Sequence, residues 1–136
     1  FSIAPKRKLC AYPEELMALV DAIGSERIGV CWDFEHAHIM EQDSIQALRL
    51  IRKKLFATHV SDAYSRTDST QMHALPMVTG RVDWARNMRA LREIGYGGVF
   101  CFEAHNFANA LPDAVLPEAL RLAHGVGAHL LGLAEG

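Results

Sequence analysis

Three short apolar runs in this chain each end in a side chain able to bind a divalent cation. Ile28-Gly29-Val30-Cys31-Trp32 leads into Asp33, Phe56-Ala57-Thr58 into His59, and Gly98-Val99-Phe100-Cys101-Phe102 into Glu103. Carboxylate and imidazole are both ligands for such ions. A single acid after a strand serves equally well as a helix cap. Two acids and a histidine at three successive strand ends are harder to assign to capping. His36 follows Asp33 by three residues and His38 alternates with it, which places both on the strand-to-helix loop. His73 lies in a long polar stretch, with Gln71 two residues before it, and His105 follows Glu103 by two. Asp62 and Glu35 are further acids close to strand ends. His124 and His129 fall on the last helix and read as structural or solvent-facing.

Only a particular arrangement of elements brings these groups together. Pro13 to Ile23 reads as a helix, with Pro13 in the first turn, Glu14 and Glu15 behind it, apolar residues at helical spacing, and Gly24 as a stop. Residues 28–33, 56–60 and 98–103 read as buried strands. Asp43-Ser44 caps a helix through Leu55, and Asp83 to Ile94 is another, ended by Gly95. A last helix starts near Pro117 and runs toward Leu131, with Gly125 and Gly127 weakening that extension. The order is a helix followed by three strand-helix units. This is the pattern of an α/β fold with a parallel sheet, in which ligands bind beyond the carboxyl ends of the strands. The stretch from Ala63 to Arg81 is long for a connection, and long connections are often functional.

Composition narrows the classes. The chain has 136 residues, of which half are hydrophobic and 22% charged, with a formal charge of −2; this suits one globular domain. Basic residues cluster only at Lys6-Arg7-Lys8 and Arg52-Lys53-Lys54, too weakly for a nucleic-acid surface. No apolar run is long enough to span a membrane. Three cysteines without CxxC spacing fit a cytoplasmic protein, and Cys31 and Cys101 read as small buried hydrophobes in strands. The start at Phe1, without a signal-peptide pattern, reads as a truncation.

Several segments resemble one family. Gly29-Val30-Cys31-Trp32-Asp33-Phe34-Glu35-His36 resembles the sixth-strand segment of xylose isomerase-like barrels. His59-Val60-Ser61-Asp62 resembles their seventh-strand segment. His73-Ala74-Leu75-Pro76 followed by Gly80-Arg81-Val82-Asp83-Trp84 resembles the stretch entering the next helix, and Leu91 to Glu103 the eighth-strand unit. The resemblance implies that residues 1–136 form one partial domain, the C-terminal half of a (β/α)₈ TIM barrel from helix 5 to helix 8. It implies a sugar isomerase or epimerase that moves a proton at a carbon next to a carbonyl, with two carboxylates exchanging it. The cation would be Mn²⁺, Mg²⁺ or Co²⁺, with Zn²⁺ as an alternative. Asp33, His59 and Glu103 correspond to three of its ligands, Glu103 also to a catalytic acid-base group, and His36 and His73 to substrate contacts. The fourth ligand, a Glu ending the fifth strand, would lie before Phe1. About 250 residues make a full barrel, so an open half needs a partner: a second copy or the missing N-terminal half. A non-catalytic half-barrel that binds or oligomerises is the alternative. An endonuclease IV-like reading is disfavoured by Gln71, where that branch carries Asp, and by the acidic charge.

Overall fold

The computed structural model describes residues 9–65, 67–68 and 72–135. Strands β1 (Val30–Asp33), β2 (Leu55–Val60) and β3 (Val99–Phe102) form one sheet in that order, with both pairings parallel. The helices are α1 (Pro13–Ile23), α2 (Phe34–Ile39), α3 (Ser44–Ile51), α4 (Trp84–Glu93), α5 (His105–Ala108) and α6 (Leu116–Glu135). The alternation matches the sequence reading. The Lys6-Arg7-Lys8 cluster and Gln71 lie outside the described residues.

The caps follow local chemistry. Asp43 accepts from the amides of Ile45 (2.9 Å) and Gln46 (3.3 Å) at the start of α3, and Asp83 from Arg86 N (3.0 Å) at the start of α4. Each satisfies amides that a helix start leaves without partners.

Three expectations are corrected. Helix α3 stops at Ile51, not Leu55: Arg52 adopts φ +44°, and Arg52–Lys54 form one 3₁₀ turn, which frees Leu55 to pair with Val30 as the first residue of β2. The segment carrying His36 and His38 is the short helix α2, because Asp33 caps it. Helix α6 runs unbroken to Glu135, since Ala119, Gly127 and Leu130 bury along one side of it. A Cβ on Gly127 would come within 2.9 Å of the Phe102 ring. The glycine that lowers helix propensity therefore lets α6 lie close against β3.

Register decides which side chains share a face. Cys31 pairs with Ala57 and Ala57 with Val99; Asp33 pairs with His59 and His59 with Cys101. Side chains of neighbouring residues alternate along a strand, so these residues point one way and Trp32, Thr58, Phe100, Val60 and Phe102 the other. The second set faces the helices, where Trp32, Leu48, Ile51, Val60, Met88, Leu91 and Leu130 make one core. On the first face Val99 is 61% exposed, and Cys31 and Cys101 are also exposed. This corrects the expectation that both cysteines are buried: beyond the register shift between Val30 and Cys31, odd-numbered strand positions turn away from the helices.

Candidate metal centre

The same odd-numbered face carries Asp33, His59 and Glu103 at its C-terminal edge. Asp33 is the last residue of β1 and His59 the fifth of β2. Glu103 lies just past β3, but its amide donates to Val60 O at 3.0 Å, which prolongs the ladder by one step and brings the carboxylate alongside His59. His59 Nδ1 is 2.9 Å from Glu103 Oε2 and 3.6 Å from Asp33 Oδ2. One ligand atom from each residue lies within 4.8 Å of the others. Asp33 also caps α2, its Oδ1 accepting from His36 N at 2.9 Å. Capping and ligation are compatible because they use different oxygens: Oδ2 is the one turned to His59.

The donor set fits a divalent cation. Two carboxylates and one imidazole, partly open to solvent, form a hard-to-borderline set. The local field agrees. Partial burial, then the charges of Asp33, Cys101 and Glu103, hold the Cys31 thiol above its ordinary value of 9.0. Negative charge concentrated at the mouth favours a cation.

The other candidates fall into two groups. His36 sits at the mouth, its Nε2 3.8 Å from Asp33 Oδ2 and its ring 6.4 Å from that of His73. His73 and His105 stack with ring centroids 4.2 Å apart, and with Glu103 they form a second set of ligand atoms within 4.8 Å of one another. The sequence reading noted His105 without giving it a role; the alternation Glu103-Ala104-His105 beyond a strand end was the available signal. Glu35 is fully buried beneath His73: its Oε2 accepts from His73 N at 2.8 Å and lies 3.6 Å from His73 Nδ1. Burial raises its pKa above 4.5.

Asp62, the other acid just beyond a strand end, is also buried. It is 0% exposed, and its oxygens accept from Ala63 N (2.9 Å), Val82 N (2.9 Å) and Trp84 Nε1 (2.7 Å). Its backbone bridges to Ala74. Asp62 thus ties both ends of the long 63–81 connection together. A Cβ on Gly80 would fall 1.7 Å from Asp62 Cγ, so only glycine fits there. His38 lines a different cavity of about 150 Å³, with Asp43, Asp83 and Arg86. His124 and His129 are exposed on α6.

A parallel β/α sheet with carboxylates and imidazoles at one edge is an α/β architecture, of the kind whose ligands bind beyond the carboxyl ends of the strands. The sequence matches the xylose isomerase-like TIM barrel family over residues 4–125, and the chain belongs to that family. It is 31% identical over 85 residues to the uncharacterized protein y4fM of Sinorhizobium fredii, covering 62% of this chain and 26% of that protein. It is 26% identical over 113 residues to the uncharacterized protein MJ1311 of Methanocaldococcus jannaschii, covering 81% and 37%. Among solved structures it resembles a D-psicose 3-epimerase crystallised in the presence of D-fructose (TM-score 0.73, 21% identity, 93% of this chain and 46% of that one). It also resembles the D-psicose 3-epimerase of Clostridium cellulolyticum H10 with D-tagatose (TM-score 0.74, 18% identity, 92% and 45%). The chain spans less than half the length of these relatives. No helix among the described residues is long and apolar enough to cross a membrane.

Proposed function

We propose that this chain supplies the C-terminal half of a sugar isomerase or epimerase site. The observation carrying this reading is the meeting of Asp33, His59 and Glu103, from three consecutive parallel strands, within 4.8 Å at one edge of the sheet. Family membership and the likeness to ketose 3-epimerases support it.

Asp33, His59 and Glu103 would hold a divalent cation. When bound, such an ion supplies Lewis acidity, lowering the cost of negative charge on sugar oxygens beside the carbon that loses its proton. Glu103 is the carboxylate of this chain that takes or returns that proton. It is 33% exposed and stands over the open mouth, unlike the buried Glu35 and Asp62. His36 and His73 flank the mouth and orient the sugar hydroxyls. The remaining ligand and the opposing carboxylate belong to the barrel half that precedes these strands. That half, or a second copy of this chain, covers the exposed Cys31, Val99 and Cys101. On this reading residues 1–136 are one partial domain of a cytoplasmic enzyme.

The test is calorimetric titration of the metal-free chain with Mn²⁺, beside His59→Ala and Glu103→Gln. Binding by the parent that both variants weaken at least tenfold is expected. Equal heats from all three proteins would overturn the metal assignment. A barrel completed with its N-terminal half that binds Mn²⁺ yet turns over no ketose would favour a non-catalytic binding module. Only one candidate proton-transfer carboxylate stands at the open mouth among the described residues, and that favours this second reading for the chain alone.

A further inference from the structure

The geometry points to a second cation site at the mouth, formed by His73, Glu103 and His105, that takes Zn²⁺ or a similar borderline ion such as Co²⁺. It shares Glu103 and His73 with the reading above, and when this second site is occupied His73 binds the ion instead of the sugar.

The donor chemistry comes first. Two imidazoles and a carboxylate are a zinc-type set, whereas two carboxylates and one imidazole suit harder ions. The three ligand atoms lie within 4.8 Å of one another. In a tetrahedral zinc site with nitrogen and oxygen bonds of roughly 2.0–2.2 Å they would be about 3.3–3.6 Å apart, so small side-chain rotations close the site.

Each donor is held by a separate device. Glu103 is fixed by its backbone bond to Val60 O. His105 opens α5, and the next residue, Asn106, donates from Nδ2 to Met72 O at 2.9 Å. That bond ties α5 to the residue just before His73, so the two imidazoles stack at 4.2 Å with a 30° tilt. This arrangement lets both rings turn a nitrogen toward Glu103.

His73 carries the most informative feature. Its Nδ1 is buried without a hydrogen-bond partner, and so is Oε1 of Glu35. The Glu35 carboxylate lies behind the ring, with Oε2 3.6 Å from Nδ1. A small ring rotation makes Nδ1–H donate to Glu35, which fixes the tautomer with a lone pair on Nε2. A carboxylate behind a metal-binding imidazole is the usual outer support of such a ligand. His73 is also held at φ +53°, its amide donating to the same Glu35 oxygen. A non-glycine residue in that conformation is strained and persists only where its surroundings hold it, here through the Glu35 carboxylate. Because Glu103 Oε2 faces His59, its carboxylate could bridge two ions at a separation of roughly 3.5–4 Å. A purely structural His73–His105 stack over Glu35 predicts a loop that loosens on substitution with no change in ion count.

The test counts ions on the full chain. Metal-free protein is titrated with Zn²⁺ and Co²⁺, with stoichiometry from calorimetry and from native mass spectrometry, and with the Co²⁺ visible spectrum as a second readout. The parent is expected to bind two ions. His105→Ala and His73→Ala should each bind one and lose the Co²⁺ band of the nitrogen-rich site. His59→Ala should also bind one, keeping that band. His105 is exposed, so its alanine variant should fold, as checked by circular dichroism; His105→Gln replaces it if it does not. A parent count of two or one that His105→Ala leaves unchanged overturns the second site. If the single ion bound is lost with His105→Ala but kept by His59→Ala, the second site stands and the Asp33 site falls. A parent that binds no ion refutes both.

Discussion

Asp62→Asn is a nearly isosteric change with a cost that the structure makes calculable. The Asp62 Oδ1 accepts two backbone amides, and Oδ2 accepts the Trp84 indole N–H at 2.7 Å, all out of solvent. Asparagine can keep its carbonyl oxygen on the two amides, but its NH₂ then meets the indole N–H, donor against donor. Flipping the amide satisfies Trp84 and orphans two backbone amides, which is worse. The variant therefore loses one charge-assisted bond and leaves a buried N–H unpaired, about 2–4 kcal/mol together. At roughly 2–4 °C per kcal/mol for a domain of this size, the melting temperature should fall by about 5–15 °C. Urea unfolding followed by far-UV circular dichroism reads the loss directly. Trp84→Phe removes the opposing donor, so Asp62→Asn should cost less on that background, with a coupling of about 1.5–3 kcal/mol. A loss below about 0.5 kcal/mol, the range of an ordinary surface change, or an additive double-variant cycle, would show that Asp62 does not hold the 63–81 connection as described.

Gly80→Ala should destabilise by at least about 2 kcal/mol, because the new Cβ meets an Asp62 side chain that three hydrogen bonds prevent from moving; a soluble variant with unchanged melting temperature would contradict this. Glu35→Gln should flatten the pH dependence of stability. Burial raises the folded pKa of Glu35 above 4.5, so the folded state holds this proton more tightly than the unfolded one. Its contribution is complete below pH 4.5 and is lost as pH rises through the folded value. The variant retains an oxygen for His73 N, and parallel stability profiles from pH 4 to 7 would refute the assignment. In a completed barrel, Glu103→Gln should lower ketose turnover at least 100-fold, the scale of a lost general base, and weaken Mn²⁺ binding. His36→Ala should raise KM more than it lowers kcat; a selective fall in kcat would move His36 into the proton-transfer machinery.

Much of this was legible in the chain because it depends on local patterns. Short β-rich runs, acids and Pro13 at helix starts, and the regular strand-helix alternation identified the three parallel units. The chemistry of each strand end marked Asp33, His59 and Glu103. Where helices ended was less legible, since packing overrides propensity: α6 continues through Gly125 and Gly127 because Phe102 and its neighbours bury its inner side, and α3 yields Arg52–Lys54 so that Leu55 can start β2.

The division between the acids was decided only in three dimensions. Asp62 and Glu35 are carboxylates lying two residues beyond a strand, close to the positions of Asp33 and Glu103, and side-chain type alone does not separate the four. Burial does. Asp62 is enclosed by the returning Val82 and Trp84, twenty and twenty-two residues on, and Glu35 by the amide of His73, thirty-eight residues on. The pairing of His73 with His105 likewise depends on Asn106 reaching Met72 across the mouth. Sequence fixes which groups can ionise or ligate and on which side of a strand they emerge, because those properties are local. Which of them stay open to a ligand depends on long-range chain return, and that is set by the packed core and not by any neighbouring residue.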